Sequence, residues 1–166
     1  KIGYDPFSAD LSHPGDRRRF CYLAKLLNIN YEIYNSQNNY DLVILNEHSD
    51  ISYWAKSKKR PKIIYNQNHS YLTEKINFKN ILRGLAKYLS GQHKFLELSY
   101  INNLKKMFKN SEAVICCTLD QKKNIEKYCK NTHILFDAFS EFKVKKNEYK
   151  SHKPFRLIWE GQPTNT

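Results

Sequence analysis

At 166 residues the chain has room for one ordinary domain with its own core and too few residues for two. Hydrophobic residues at 40% and aromatics at 14% exclude a disordered chain, and no apolar run approaches the length of about 18 residues that a spanning helix needs. Lys and Arg outnumber Asp and Glu by 28 to 16, a formal +12 that implies an anionic partner without choosing among nucleic acid, a lipid surface and a phosphorylated small molecule.

Short apolar runs bounded by polar segments predict strands buried on both faces, as a parallel sheet covered by helices requires. In chain order they fall at Ile2 to Tyr4, Tyr31 to Tyr34, Leu42 to Leu45, Lys62 to Tyr65, Ala113 to Cys116 and His133 to Phe136. Helical spacing lies between them. Phe20, Leu23, Ala24 and Leu27 predict one buried face on a helix from about Pro14 to Leu27, and Phe78, Ile81, Leu82, Leu85 and Leu89 predict another that stops at Gly91. A further helix is predicted from about Lys94 to Lys109, with Phe95, Leu98, Ile101, Leu104 and Phe108 towards the core. Thr118 and Gln121 have capping-box spacing ahead of Ile125, Tyr128 and Cys129. Alternation of this kind predicts an α/β fold, a Rossmann-like doubly wound parallel sheet flanked by helices.

This unit is expected over residues 1–142. A basic connector follows over 143–154, and Phe155 to Trp159 with Gly161 resembles the opening strand and turn of another domain, 155–166. The expectation is therefore the front half of a two-domain protein. With no leader-like segment at Lys1, a cytoplasmic location is the default expectation. Cys116 and Cys117 are adjacent while Cys21 and Cys129 stand apart, which suits reduced thiols better than a disulfide framework or a metal site.

Ligands of open α/β sheets bind beyond the carboxyl ends of the strands, so the chemistry is sought in the loops there. After the first strand, Ser12, His13, Gly15, Asp16, Arg17, Arg18 and Arg19 surround a helix start, suited either to an anion or to a helix cap with a solvated arginine face. After the third come Asn46, Glu47, His48, Ser49 and Asp50, either a Glu–His acid–base pair or a cap for a short helix burying Tyr53 and Trp54. After the fourth, Asn66, Gln67, Asn68, His69, Ser70 and Tyr71 form either a hydroxyl-binding run or a plain polar loop. Only five glycines are present, so neither a dinucleotide fingerprint nor a P-loop exists. No G-x-S-x-G elbow occurs.

Taken in order, Ser12 to Phe20, Tyr40 to Leu45, Lys62 to Leu72, Ser111 to Thr118, His133 to Phe139 and Leu157 to Gln162 resemble the N-terminal domain of a GT-B glycosyltransferase of the family 4, or group 1, type. The resemblance implies the acceptor-side half of a two-domain transferase, of retaining hexosyl type. It implies no cofactor and no metal: the nucleotide-sugar is a substrate, held mainly by a second domain, and the fragment alone is expected to be inactive. By the same resemblance, the histidine near the reacting sugar falls on His69, or on Asn68 one residue earlier. Ser12, Gly15, Asp16, Arg18, Glu47, His48, Asn66, Tyr71 and Thr118 become acceptor or phosphate contacts, and Gly161 a donor-side contact. Gly15 would admit substrate close to the backbone. The implied partners are a nucleotide-sugar donor and a glycan, cell-envelope or lipid-linked acceptor. Lys56 to Lys62 and the cationic side of the helices from Phe78 to Lys109 would meet an anionic membrane surface, on the inner face of the membrane. Two alternatives stand beside this reading. One is a basic nucleic-acid-binding module, disfavoured by scattered lysines and the lack of a recognition motif; the other is a non-catalytic glycosyltransferase-like subunit.

Overall fold

The apolar runs form the sheet. The computed structural model describes residues 1–57, 60–73, 78–91, 93–96 and 99–136, without the side chains of 78–81 and 83. Residues 137–142, the expected connector 143–154, the expected strand at Phe155, Gly161 and Leu98 lie outside the described residues. Strands β1 (Ile2–Tyr4), β2 (Glu32–Ile33), β3 (Leu42–Asn46), β4 (Lys62–Asn66), β5 (Ala113–Cys116) and β6 (Thr132–Ile134) make one sheet in the order β2-β1-β3-β4-β5-β6. Every neighbouring pair is parallel. The chain crosses from β1 to β2 in one direction and returns past β1 to β3, so the topological switch point lies between β1 and β3. This is an α/β, Rossmann-like arrangement.

Burial is one-sided. Val43, Leu45, Ile63, Tyr65, Val114 and Cys116 are fully buried, whereas the alternate residues Ile44, Ile64 and Ile115 are half-buried, so the expectation of strands buried on both faces holds for one face. That face is covered by Ile51 and Trp54 of α2 (Ile51–Trp54), Leu104, Met107 and Phe108 of α4 (Tyr100–Asn110), and Ile125 of α5 (Leu119–Ile125). Each such side chain contributes about 1.5–3 kcal/mol on leaving water.

Local chemistry sets the helix boundaries. Asp50 accepts from the Ser52 and Tyr53 amides and starts α2, and Thr118 with Gln121 completes the capping box of α5. The helix expected from Pro14 proceeds through a π-helical stretch, Asp16–Cys21, into α1 (Tyr22–Leu26). It ends where Asn28 adopts a left-handed φ of 54°. Leu27, expected on its buried face, stands at the C-cap and is exposed.

Three other expectations are corrected. Helix α4 starts at Tyr100, capped by Ser99, and not near Lys94. The Lys94 and Phe95 amides donate instead to Asp50 Oδ2 (2.8 Å) and Ser52 Oγ (3.1 Å), which holds that stretch along α2 and leaves Phe95 exposed. Strand β6 begins at buried Thr132, whose hydroxyl donates to the Cys129 carbonyl, and ends before Leu135 and exposed Phe136. Helix α3 (Phe78–Leu89) covers the predicted stripe, with Gly91 at φ +74° beyond its end, but Leu82, Leu85 and Leu89 face outward and not into the core. None of the four cysteines forms a disulfide. Among the described residues no helix is long and apolar enough to cross a membrane.

Candidate functional site

The carboxyl ends of β1, β3, β4 and β5 form a rim in two tiers, one buried and one exposed. Asp16 anchors the buried tier. Fully buried, it accepts from Tyr4 Oη (2.5 Å), the Phe7 and Ser8 amides (2.9 and 3.1 Å) and Ser8 Oγ (3.3 Å), which folds the loop after β1 back onto the sheet. Burial first, and the Asp16 carboxylate second, raise the Tyr4 hydroxyl far above its ordinary pKa, so it remains a donor. Asp16 is thus neither the helix cap nor open to a ligand; the N-cap position is Gly15.

One helical turn on, Arg19 points the same way and is buried. Its guanidinium donates to Asn66 Oδ1 (2.8 Å) and the Leu135 carbonyl (3.3 Å) and meets Cys117 Sγ, bracing the ends of β4, β5 and β6 together. Asn66, expected to contact acceptor, is buried and engaged by this arginine. Across the switch point, Asn46 Nδ2 donates to the Asp5 carbonyl (2.6 Å) while its Oδ1 accepts the His48 amide (2.7 Å). Asp5 has its pKa raised, chiefly by burial.

The exposed tier rests on these anchors. Phe7 stacks on His13, ring centroids 4.6 Å apart and 14° from parallel, and His48 lies 4.6 Å from Phe7 on the other strand's loop. The Gly15 amide donates to His13 Nδ1 (3.0 Å). A Cβ at Gly15 would meet Phe7 at 2.9 Å and His13 at 3.0 Å, so its missing side chain makes room for this ring stack and not for an incoming substrate. Desolvation lowers the pKa of His48, opposed by Glu47 and reinforced by His13, Lys87 and His69, which keeps the ring neutral near pH 7.

Beside them sits a carboxylate–imidazole pair. Glu47 was expected to act with its neighbour His48; the structure pairs it with His69. Both carboxylate oxygens lie 2.7–2.8 Å from His69 Nδ1, and Oε2 also accepts the His69 amide (3.2 Å). The Glu47 side chain is 5% exposed and that of His69 is 65% exposed, so a covered carboxylate orients a ring open to solvent. A carboxylate at Nδ1 fixes the proton there and leaves Nε2 as the basic nitrogen. Parallel pairing of Asn46 with Asn66 brings residues 47 and 69 together.

The remaining predicted residues are dispersed. Ser12 is exposed in the loop after β1, its amide on Asp10, and Arg18 is exposed on the π-helical stretch. Thr118 Oγ1 is occupied as the α5 cap. The Asn68 carbonyl accepts from Gln121 Nε2 (2.8 Å), and its side-chain oxygen is buried. Tyr71 packs 5.5 Å from the His69 ring, and both line a shallow cleft with Gln67 and Asn124. Phe7, Asp5 and Arg19 were not anticipated as individual site residues. Arg19 had a signal: it falls three residues after Asp16 on the stripe that continues through Phe20 to Ala24. Among the described residues no group of three or more His, Cys, Asp and Glu side chains is placed to hold a metal ion.

Comparison of the chain with protein-family models, curated proteins and solved structures gave no match. The class that fold and rim define is therefore an α/β protein with a Glu–His pair beside its topological switch point.

Proposed function

We propose that this chain is the acceptor-side domain of a glycosyltransferase that moves a sugar from a nucleotide-sugar to a glycan, cell-envelope or lipid-linked acceptor. The observation that supports it best is the Glu47–His69 pair, presented by adjacent strand ends with a covered carboxylate behind an exposed imidazole. In this reading an acceptor hydroxyl donates to His69 Nε2. As its oxygen bonds to the anomeric carbon, the proton passes to the imidazole, Glu47 balances the new charge, and the sugar's bond to the nucleotide diphosphate breaks. Phe7, His13 and His48 supply an aromatic wall against which a sugar ring packs, and the order of polar segments that resembles family 4 transferases is a second support.

Base-assisted direct displacement inverts the anomeric carbon. That outcome departs from the retention that the family 4 resemblance implies, and an inverted product is the expected result. The test is incubation of the full-length protein with a panel of uridine, guanosine, adenosine and thymidine diphosphate sugars and mixed glycan acceptors, followed by nucleotide release and product anomeric configuration. Release dependent on donor and acceptor is expected; none with any donor, from folded protein, would remove the proposal.

A further inference from the structure

The shallow cleft that His69 and Tyr71 line runs inward between the loop after β4 and helices α4 and α5. Its floor includes the buried side chains of Leu104, Phe108 and Ile125, while Tyr71, Leu72 and Asn124 stand half-buried at its mouth. Two buried amides interrupt the apolar floor. Gln121 is fully engaged: its Oε1 accepts from the Cys117 and Thr118 amides and its Nε2 donates to the Asn68 carbonyl. Gln67 is not. It is 1% exposed, and its Nε2 donates to the His69 carbonyl (2.6 Å), which fixes the other end of the amide as oxygen. That Oε1 is buried and accepts no hydrogen bond from the described residues. A buried acceptor without a donor is costly, so an N–H or O–H from outside the chain belongs beside it.

Size and charge say what carries that donor. The cleft holds about 240 Å³, open solvent included, which is below the range of ordinary ligand pockets and too small for an oligosaccharide or a nucleotide-sugar. Its inner end has room for about one water-sized group. Although the chain has 28 Lys and Arg residues, among the described residues no Lys, Arg, Asp or Glu lines the cleft. A carboxylate or phosphate there would lose hydration and gain no counter-charge from the lining. We propose that the cleft binds a small uncharged phenol, its hydroxyl donated to Gln67 Oε1 and its ring packed against Tyr71 and Leu72. Because the same amide holds the His69 carbonyl, occupancy is transmitted to His69. The inference goes beyond the transfer reading and stands without it.

The test is 1H–15N NMR of the full-length protein titrated with phenol, anisole and benzoate, with no sugar donor present. Phenol is expected to shift the Gln67 side-chain NH2 and the His69 backbone amide together, saturating on the order of 1 mM, as a ligand of so few atoms allows. Anisole, which lacks the donor, and benzoate, which is charged, should bind at least about tenfold more weakly. Gln67→Met removes the acceptor at similar volume and should weaken phenol about tenfold, read at the His69 amide. Asn124→Trp fills the mouth from a half-buried position on α5 and should abolish the shift. Circular dichroism checks that each variant is folded. No saturating shift with phenol, which would leave a water alone as the donor to Gln67, overturns the inference. So does anisole or benzoate bound as tightly as phenol, or phenol bound by both folded variants as tightly as by the parent. With no sugar donor in the sample, a failed transfer assay leaves this result untouched.

Discussion

His69→Ala is expected to lower kcat/KM for sugar transfer by roughly 10²–10⁴-fold, the range that a positioned general acid–base group contributes. The side chain is 65% exposed, so its removal opens no cavity and thermal stability should stay close to that of the parent. Glu47→Gln should give a smaller loss for a different reason. The amide can present its NH2 group to Nδ1, and the ring then takes the other tautomer, with the proton on the nitrogen that should face substrate. Because the two side chains act as one unit, the double variant should be no slower than His69→Ala alone. Additive losses, or a His69→Ala enzyme within about twofold of the parent, would separate the residues from the chemistry. Steady-state kinetics with the most active donor supply all four corners of this cycle.

The second large effect concerns stability. Asp16→Ala strands the Tyr4 hydroxyl in the core and leaves the partly buried Phe7 and Ser8 amides without their acceptor; at about 1–3 kcal/mol for the buried group and less for each amide, the loss is about 4 kcal/mol. Asp16→Asn should recover part of this, since its one carbonyl oxygen still accepts while its NH2 group faces a donor. Urea denaturation with an unchanged slope measures the difference as a shift in midpoint. The loop after β1 carries Phe7 and His13, so the alanine variant should also disturb the aromatic wall opposite His48. A loss under about 1 kcal/mol would mean that the carboxylate is not the loop's anchor.

Much of this architecture is written locally. Strands β3, β4 and β5 follow from continuous apolar runs, and Ala113–Cys116 has the predicted bounds, set between Glu112 and the Thr118 cap of the next helix. The α5 capping box and the stop at Gly91 follow from side-chain chemistry and from glycine's access to positive φ. What the sequence does not state is strand order. Glu47 has a histidine beside it in the chain, yet it bonds to one 22 positions on, because β3 and β4 lie side by side in parallel register. Periodicity also marks an apolar face without saying whether anything covers it, so α3 and α4 look alike while only α4 is buried. Nor does it show that Asp50 and Ser52 would draw the backbone at Lys94 away from helix. The buried arginine escapes notice for a related reason: among three adjacent arginines, only the fold selects Arg19 to reach three strand ends.

Whether Glu47 and His69 form a single proton-handling unit is decided by 15N NMR of the histidine rings. In its neutral form the His69 ring should hold its proton on Nδ1 and leave Nε2 bare, a pattern that changes on Glu47→Gln while the His133 signals stay in place. A His69 ring averaged between its two tautomers, and indifferent to Glu47→Gln, would contradict it.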